Sequence, residues 1–322
     1  MKKTLSVSMI VKNESGCIED CLKSIKGADE IVIVDTGSTD NTVDLCKKYT
    51  KKVYIDQWDD NFSRSRNVSL RKCTCDYILI IDADEVLIDP IAKIKHTINE
   101  YWFRSYVGLQ IEIKTVAETF MSPRVFKNCK EIYYDGAIHN LPTWNGSTPE
   151  LQTKLYTSAF KIESGYSPAH NIDPDRTLRI LLKELDLRPD DTRMMYYLAK
   201  EYMNRVQITD AVAVLEKYRE LKYFNPDRWD NELADALYLL ALCYADAVVY
   251  GDSKWFDAVR TAHESWGVLP TSSDTANLLS ELYGYMPNKS KDVGRRQELS
   301  FQFWSIIAKN SGNSNVLMKR NF

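Results

Sequence analysis

No apolar run in these 322 residues approaches the ~20 needed to cross a bilayer. No secretory leader is expected either, because Met1-Lys2-Lys3 leads only into Thr4–Val11, a stretch too short and too polar for one. Histidine is scarce, with four in the chain, and the seven cysteines stand singly except for Cys73-Thr74-Cys75. A C-x-C pair with no second pair and no histidine cluster makes a poor zinc site; reduced thiols in a cytoplasm fit the pattern better. Neither sign of charge is in excess: the formal net charge of −3 gives no general attraction to nucleic acid. Disorder is excluded too, since 44% of the residues are hydrophobic and 27% charged. What remains is a globular chain, long enough for one large domain or two ordinary ones.

Read in order, Leu5–Val11 (LSVSMIV), Glu30–Val34, Lys52–Ile55 and Tyr77–Ile81 are apolar or β-branched runs of strand length. Helical stretches separate them, one reaching about Ile25, then Thr42–Tyr49 and Asn61–Cys73, with Pro90–Tyr101 following. This alternation predicts a mainly parallel sheet with helices on both faces. Asn13 or Ser15 is placed to cap the first helix and Asp40 the second. Tyr106–Val116 alternates as a strand, and Met121–Phe126 with Glu131–Tyr134 suggests a hairpin. Leu141–Pro149 reads as a surface loop, Thr157–Ile162 as a last strand and Pro168–Pro174 as a linker. From Asp175 onward apolar residues recur at helical spacing. Ala199, Ala211, Ala241, Ala258 and Ala262 fall where close-packed antiparallel helices need small side chains. About three helical hairpins are expected, although the first has Arg205-Val206 where a turn glycine belongs. The expected division is 1–170 and 171–322.

The stretch that organises the rest is Tyr77–Glu85, YILIIDADE. A strand buried on both faces ends in three carboxylates within four residues, where burial of charge is costly. A divalent cation resolves that cost, since magnesium and manganese take oxygen ligands and are commonly held by one or two carboxylates plus substrate phosphates. Ligands in open α/β sheets also sit at the carboxyl ends of strands. An acidic turn capping the next helix is the other reading of the same residues.

VSMIVKNE, IVIVDTGSTDNT, SRSRN and ILIIDADE, in that order, resemble the nucleotide-sugar domain of family 2 glycosyltransferases, a GT-A fold. More narrowly, they resemble bacterial and phage members that carry a tetratricopeptide-like tail. The resemblance covers roughly residues 4–166; the tail is similar only in architecture. It implies an α/β GT-A domain followed by an α-helical TPR-like domain, working in a bacterial or phage-infected cytoplasm. The activity it implies is a metal-dependent, inverting transfer from a UDP-sugar, UDP-glucose or an N-acetylated relative, with Mn2+ or Mg2+.

The resemblance also assigns residues. Val11 and Glu14 fall on the base and ribose side, and Asp35 accepts hydrogen bonds from uracil or ribose. Arg66, directly before Asn67, reaches the nucleotide, while Arg64 on another helix face is solvated. Asp82, Ala83 and Asp84 form the D-x-D motif, with Asp84 on the metal and Asp82 on ribose or metal-bound water. Arg124-Val125-Phe126, Tyr134-Asp135-Gly136 and Ile138-His139-Asn140 match the family's acceptor-side motifs, but the carboxylate that usually follows the histidine is absent. Arg124, Asp135 and His139 are therefore the candidate catalytic residues, with Asp135 or His139 as base. Glu163 stands where relatives often place a metal-binding histidine; His170 competes for that role. The expected acceptor is a peptide or protein held by the tail, with hydroxymethylated phage DNA or a glycan as alternatives, and a homodimer is left open. A non-catalytic nucleotide-sugar-binding scaffold is a different class of reading. A nucleotidyltransferase is disfavoured, because Lys12-Asn13-Glu14-Ser15 stands where its glycine-rich phosphate loop belongs.

Overall fold

The structure, a computed structural model, describes residues 2–100, 102–116, 118–140, 142–144, 155–165, 167, 172–225, 229–246, 249 and 253–284, with 300, 302, 304, 305 and 307. Two compact units divide the chain, Met1–Ile180 and Leu181–Phe322. Among the described residues no helix is long and apolar enough to cross a membrane.

The first unit is built as expected, α/β with a mainly parallel sheet. Strands β1 (Leu5–Val11), β2 (Glu30–Asp35), β3 (Val53–Ile55) and β4 (Tyr77–Ile80) alternate with helices α1 (Ile18–Ser24), α2 (Thr42–Lys47) and α3 (Phe62–Lys72). After β5 (Glu85–Leu87) and α4 (Ile91–Thr97) come β6 (Gly108–Lys114), β7 (Thr119–Lys127), β8 (Ile132–Tyr134), β9 (Pro142–Trp144) and β10 (Leu155–Ser164). The main sheet runs β3-β2-β1-β4-β7-β6-β10-β5. Pairs among β1 to β4 are parallel, β7 is antiparallel to both neighbours, and β5 is antiparallel to β10.

The period-2 pattern of β1 decides which helix covers which face. Leu5, Val7, Met9 and Val11 join Ile18 and Leu22 of α1 and Ile91 and Ile94 of α4 in one core. Ser6 and Ser8 point the other way, under α3, where small side chains permit close approach. The Ser8 and Ser69 hydroxyls stand 2.7 Å apart. On the same face Glu30 is buried and takes hydrogen bonds from Ser6, Lys52 and both the amide and hydroxyl of Thr74. Burial would raise this carboxyl, but those bonds outweigh it and hold it at about 2, against an ordinary 4.5. A depressed acid stabilises the fold above its unfolded value and loses that contribution as pH falls through its folded one. Glu30→Gln should therefore cost on the order of 2 kcal/mol at pH 7. Urea unfolding of the two proteins should converge between pH 4.5 and 2; a gap that persists at pH 2 would reject the charge-based account.

The path from β4 to β5 forces the sheet to curl. Three strands lie between them, a distance of ~19 Å in a flat sheet at ~4.8 Å per step. Residues 81–84 alone make the connection, and they reach roughly 17 Å even fully extended. They are not extended, since the Glu85 amide donates to the Asp82 carbonyl at 3.1 Å. Register shifts between Leu109 and Gln110, and between Thr157 and Lys161, bend the intervening strands. At the first of these Gly108 is required, because a Cβ there would lie 2.0 Å from the Val125 carbonyl oxygen.

Several local expectations need correcting. Met121–Phe126 and Glu131–Tyr134 do not form a hairpin: β7 is taken up by β4 and β6, while β8 pairs with β9 in a separate small sheet. Residues 142–144, expected in a loop, are that β9 strand. Neither Asn13 nor Ser15 caps α1, which starts after Cys17 without a side-chain cap. Asn13 instead takes a left-handed φ of 58° and accepts from the Thr39 amide at 2.7 Å, tying the two loops after β1 and β2 together. Asp40 accepts from the Thr42 amide at the start of α2 and from the Ser15 amide. Burial would raise its carboxyl, but these bonds and the Thr42 hydroxyl hold it at about 2.

The second unit is helical. It takes in most of α5 (Arg176–Leu187), then α6 (Thr192–Asn204), α7 (Ile208–Lys222), α8 (Asp230–Tyr244), α9 (Trp255–Val268) and α10 (Ser273–Gly284). Ala199, Ala211, Ala241, Ala258 and Ala262 are all fully buried in one core. The turn without a glycine closes α6 all the same. The Gln207 amide donates to the Tyr202 carbonyl at 2.8 Å and the Val206 amide to Met203 at 3.0 Å, with Val206 at φ 60°. This is the left-handed helix ending that glycine normally supplies, here forced on a β-branched residue. Val206 is 78% exposed, so little packing opposes its replacement. Val206→Gly should stabilise by about 1 kcal/mol, the relieved strain exceeding the glycine's extra unfolded-state freedom. A urea midpoint that falls in this variant would overturn the reading of the turn.

Candidate active site

The first unit holds a cavity of about 280 Å3 at the carboxyl ends of β1 and β4. Val11 and Glu14 line it from the end of β1, Thr36 from the end of β2, Arg66 from α3, and Asp82 through Glu85 from the turn after β4. The acids are held by arginines. Asp82 accepts from Arg66 at 2.9 Å and lies 3.8 Å from Arg124. Glu85 is buried; it accepts from Arg124 at 2.6 Å and from the Asp82 amide at 2.9 Å. Burial pushes the Glu85 carboxyl up to about 7 and Asp82 adds to this, against the pull of Arg124. Asp84 lines the cavity, and its backbone carbonyl accepts the Gly165 amide at 2.7 Å. A Cβ on residue 165 would stand 2.9 Å from that oxygen, so a glycine there lets β10 approach the acidic turn.

The other expected residues are placed as follows. Asp35 is buried, and its carboxylate accepts the Gly37 and Ser38 amides at 3.0 Å, shaping the loop after β2. Glu14 accepts from the Ser167 hydroxyl at 2.5 Å and the Cys17 thiol at 3.2 Å. Arg64 is not merely solvated but ion-paired with Asp56 at 2.9 Å and Asp59 at 2.7 Å. Arg124 is fixed on the acids, and a group that stays protonated cannot act as a base. Asp135 and His139 are exposed and do not line the cavity; His139 has a left-handed φ of 50°. Their segment is docked on the start of α3, where the Phe62 amide donates to Ala137 and the Asn67 side chain bonds both backbone groups of Tyr134. The structure does not bring Glu163 to the cavity. Alternation along β10 gives that direction to Ser164, while Glu163 is exposed and pairs with Lys114 at 3.3 Å. His170 lies outside the described residues.

The lining residues that were not anticipated include Trp58, Phe62 and Arg176. Phe62 was legible, standing four residues before Arg66 and hence on the same face of α3. Trp58 packs edge-on against Phe62, ring centres 4.7 Å apart. For Arg176, at the head of the helical stretch, no sequence signal pointed to the cavity. Among the described residues, no three His, Cys, Asp or Glu side chains converge to hold a metal ion. The acidic turn therefore fits a cation only in the way magnesium is commonly bound, by one or two carboxylates with donor phosphates completing the shell.

A family model described as glycosyl transferase family 2 matches residues 6–142. The SPbeta prophage-derived glycosyltransferase SunS of Bacillus subtilis is 30% identical over 270 residues, covering 77% of this chain and 62% of that protein. A TPR repeat-containing protein of Synechococcus elongatus is 30% identical over 140 residues, covering 42% of this chain and 35% of that one. The chain thus spans less than two thirds of the length of these curated relatives. Among solved structures, S. aureus TarS 1–349 in complex with UDP-GlcNAc is similar over 96% of this chain and 89% of that one, at 15% identity and a TM-score of 0.40. Through the domain that its first unit carries, the chain belongs to glycosyl transferase family 2.

Proposed function

We propose that the chain moves a sugar from a UDP-sugar, UDP-glucose or an N-acetylated relative, to an acceptor hydroxyl or thiol, with inversion and with Mn2+ or Mg2+ bound. The observation that carries this reading is the meeting of sequence-distant segments at one cavity. Val11 and Glu14, Thr36, Arg66 and the Asp82–Asp84 turn line it together, at the strand ends where such sheets take ligands. Asp84, with Asp82 oriented by Arg66, is the proposed cation ligand, and Glu163 is not. The bound cation supplies neutralisation of the charge that grows on the leaving diphosphate. Inversion needs one base and no covalent nucleophile. Asp135 and His139 are the proposed bases, because they stand exposed on a segment docked beside Phe62 and Arg66, open to an arriving acceptor. The acceptor is a peptide or protein presented by the helical unit, since helical repeats hold extended chains. The cytoplasm, where UDP-sugars are made, is the proposed place of work.

Calorimetry with UDP and manganese tests the donor half. Binding that a chelator abolishes is the expected result, and no heat with or without manganese would overturn it. Label from a panel of UDP-sugars, followed into protein, nucleic acid or glycan of a cell lysate, tests the acceptor half.

A further inference from the structure

We propose that Arg176 grips the diphosphate of the donor, an inference that deepens the reading above and rests on it. The cavity is already rich in negative charge, with Glu14, Asp82, Asp84 and Glu85 on its wall. The two arginines that meet these acids are spoken for, Arg66 by Asp82 and Arg124 by Glu85. A diphosphate entering there needs positive charge beyond a single cation. Arg176 supplies it from the first turn of α5, within the first unit. Its guanidinium carbon lies 5.5 Å from the centre of the Phe62 ring. Stacking holds such a group by its face and leaves the N–H edges unused. Among the described residues that guanidinium donates no hydrogen bond and forms no ion pair. A planar fork of donors suits two phosphate oxygens, whereas Lys12, also on the wall, is exposed and carries a point charge.

The frame around Arg176 is stiff. Arg179, one turn further on, donates two hydrogen bonds to Asp60 at 2.9 and 3.0 Å and two to Asp173 at 2.8 and 3.4 Å. Asp60 also accepts from the Trp58 indole at 2.9 Å, so the start of α5 is tied to the segment that bears both cavity aromatics.

The test is Arg176→Met, with Arg176→Lys as the conservative variant. Each is titrated with UDP by calorimetry and with phosphate-free uridine by ligand-observed NMR. Arg176→Met should weaken UDP about 10- to 100-fold, leave uridine within about twofold, and flatten the salt dependence of UDP binding; the lysine variant should recover part of the loss. A matching melting temperature confirms that the variants are folded. UDP affinity unchanged in Arg176→Met overturns the proposal while the donor reading stands. Equal weakening of UDP and uridine overturns it as well, because the residue would then only shape the aromatic wall. Wild-type protein that binds no UDP overturns both.

Discussion

Asp84→Asn is expected to lower sugar transfer by on the order of 10^3-fold. The substitution keeps the volume and planar shape of the side chain. It removes one formal charge and exchanges a carboxylate oxygen for an amide that repels a cation. The bond from Gly165 goes to the backbone carbonyl of residue 84, and the Arg66–Asp82 and Arg124–Glu85 pairs lie on other residues. The manganese-dependent part of UDP binding should disappear, and a melting temperature taken alongside shows that the variant is folded. Turnover that survives with its metal dependence intact would remove the acidic turn from the mechanism.

Arg124→Met is expected to cost about 3 kcal/mol in stability, or somewhat more. Arg124 is the cation facing Glu85, whose side chain is only 4% exposed and has Asp82 and Asp84 as near neighbours. Removing Arg124 takes away the cation that offsets burial at Glu85, so the carboxyl must either stay charged where it is poorly solvated or take up a proton. The companion change Glu85→Gln, made in the same chain, should restore most of the loss, because a neutral amide there carries no net charge. Chemical denaturation of the four proteins in the cycle gives the coupling between the two positions. A single-variant loss below about 1 kcal/mol would mean that the pair is more hydrated than its geometry indicates.

Much of the first unit was legible because its strands are short apolar runs that end abruptly in polar loops. LSVSMIV, EIVIV and YILI each become a parallel strand, and the residues at their carboxyl ends do gather at one rim. Pairing was less legible. Periodicity says that Met121–Phe126 is a strand, but not that β4 and β6 would claim both of its edges. Glu163 was misplaced for a related reason. A motif compared by position carries no information about which face of β10 a side chain takes, and one residue of offset reverses it. Asp35 shows another limit: an acid at a strand end binds its own loop's amides as readily as a ligand. Arg176 escaped notice because it begins a helix whose later residues pack into the helical unit. Composition there says helix and nothing about the cavity its first turn borders.

The strand β5 that follows the acidic turn finds its partner far along the chain, Glu85 opposite Ser164. During synthesis the ribosome delivers the carboxylates of Asp82 and Asp84 early, yet the segment that fixes them appears some eighty residues later. Until Gly165 has emerged, the nascent domain can assemble β1 to β4 but lacks the bond that pins residue 84. Fixing of the acidic turn is thus delayed to the end of the domain's translation, and a chain interrupted near residue 142 would carry Asp82 and Asp84 without the strand that pins them.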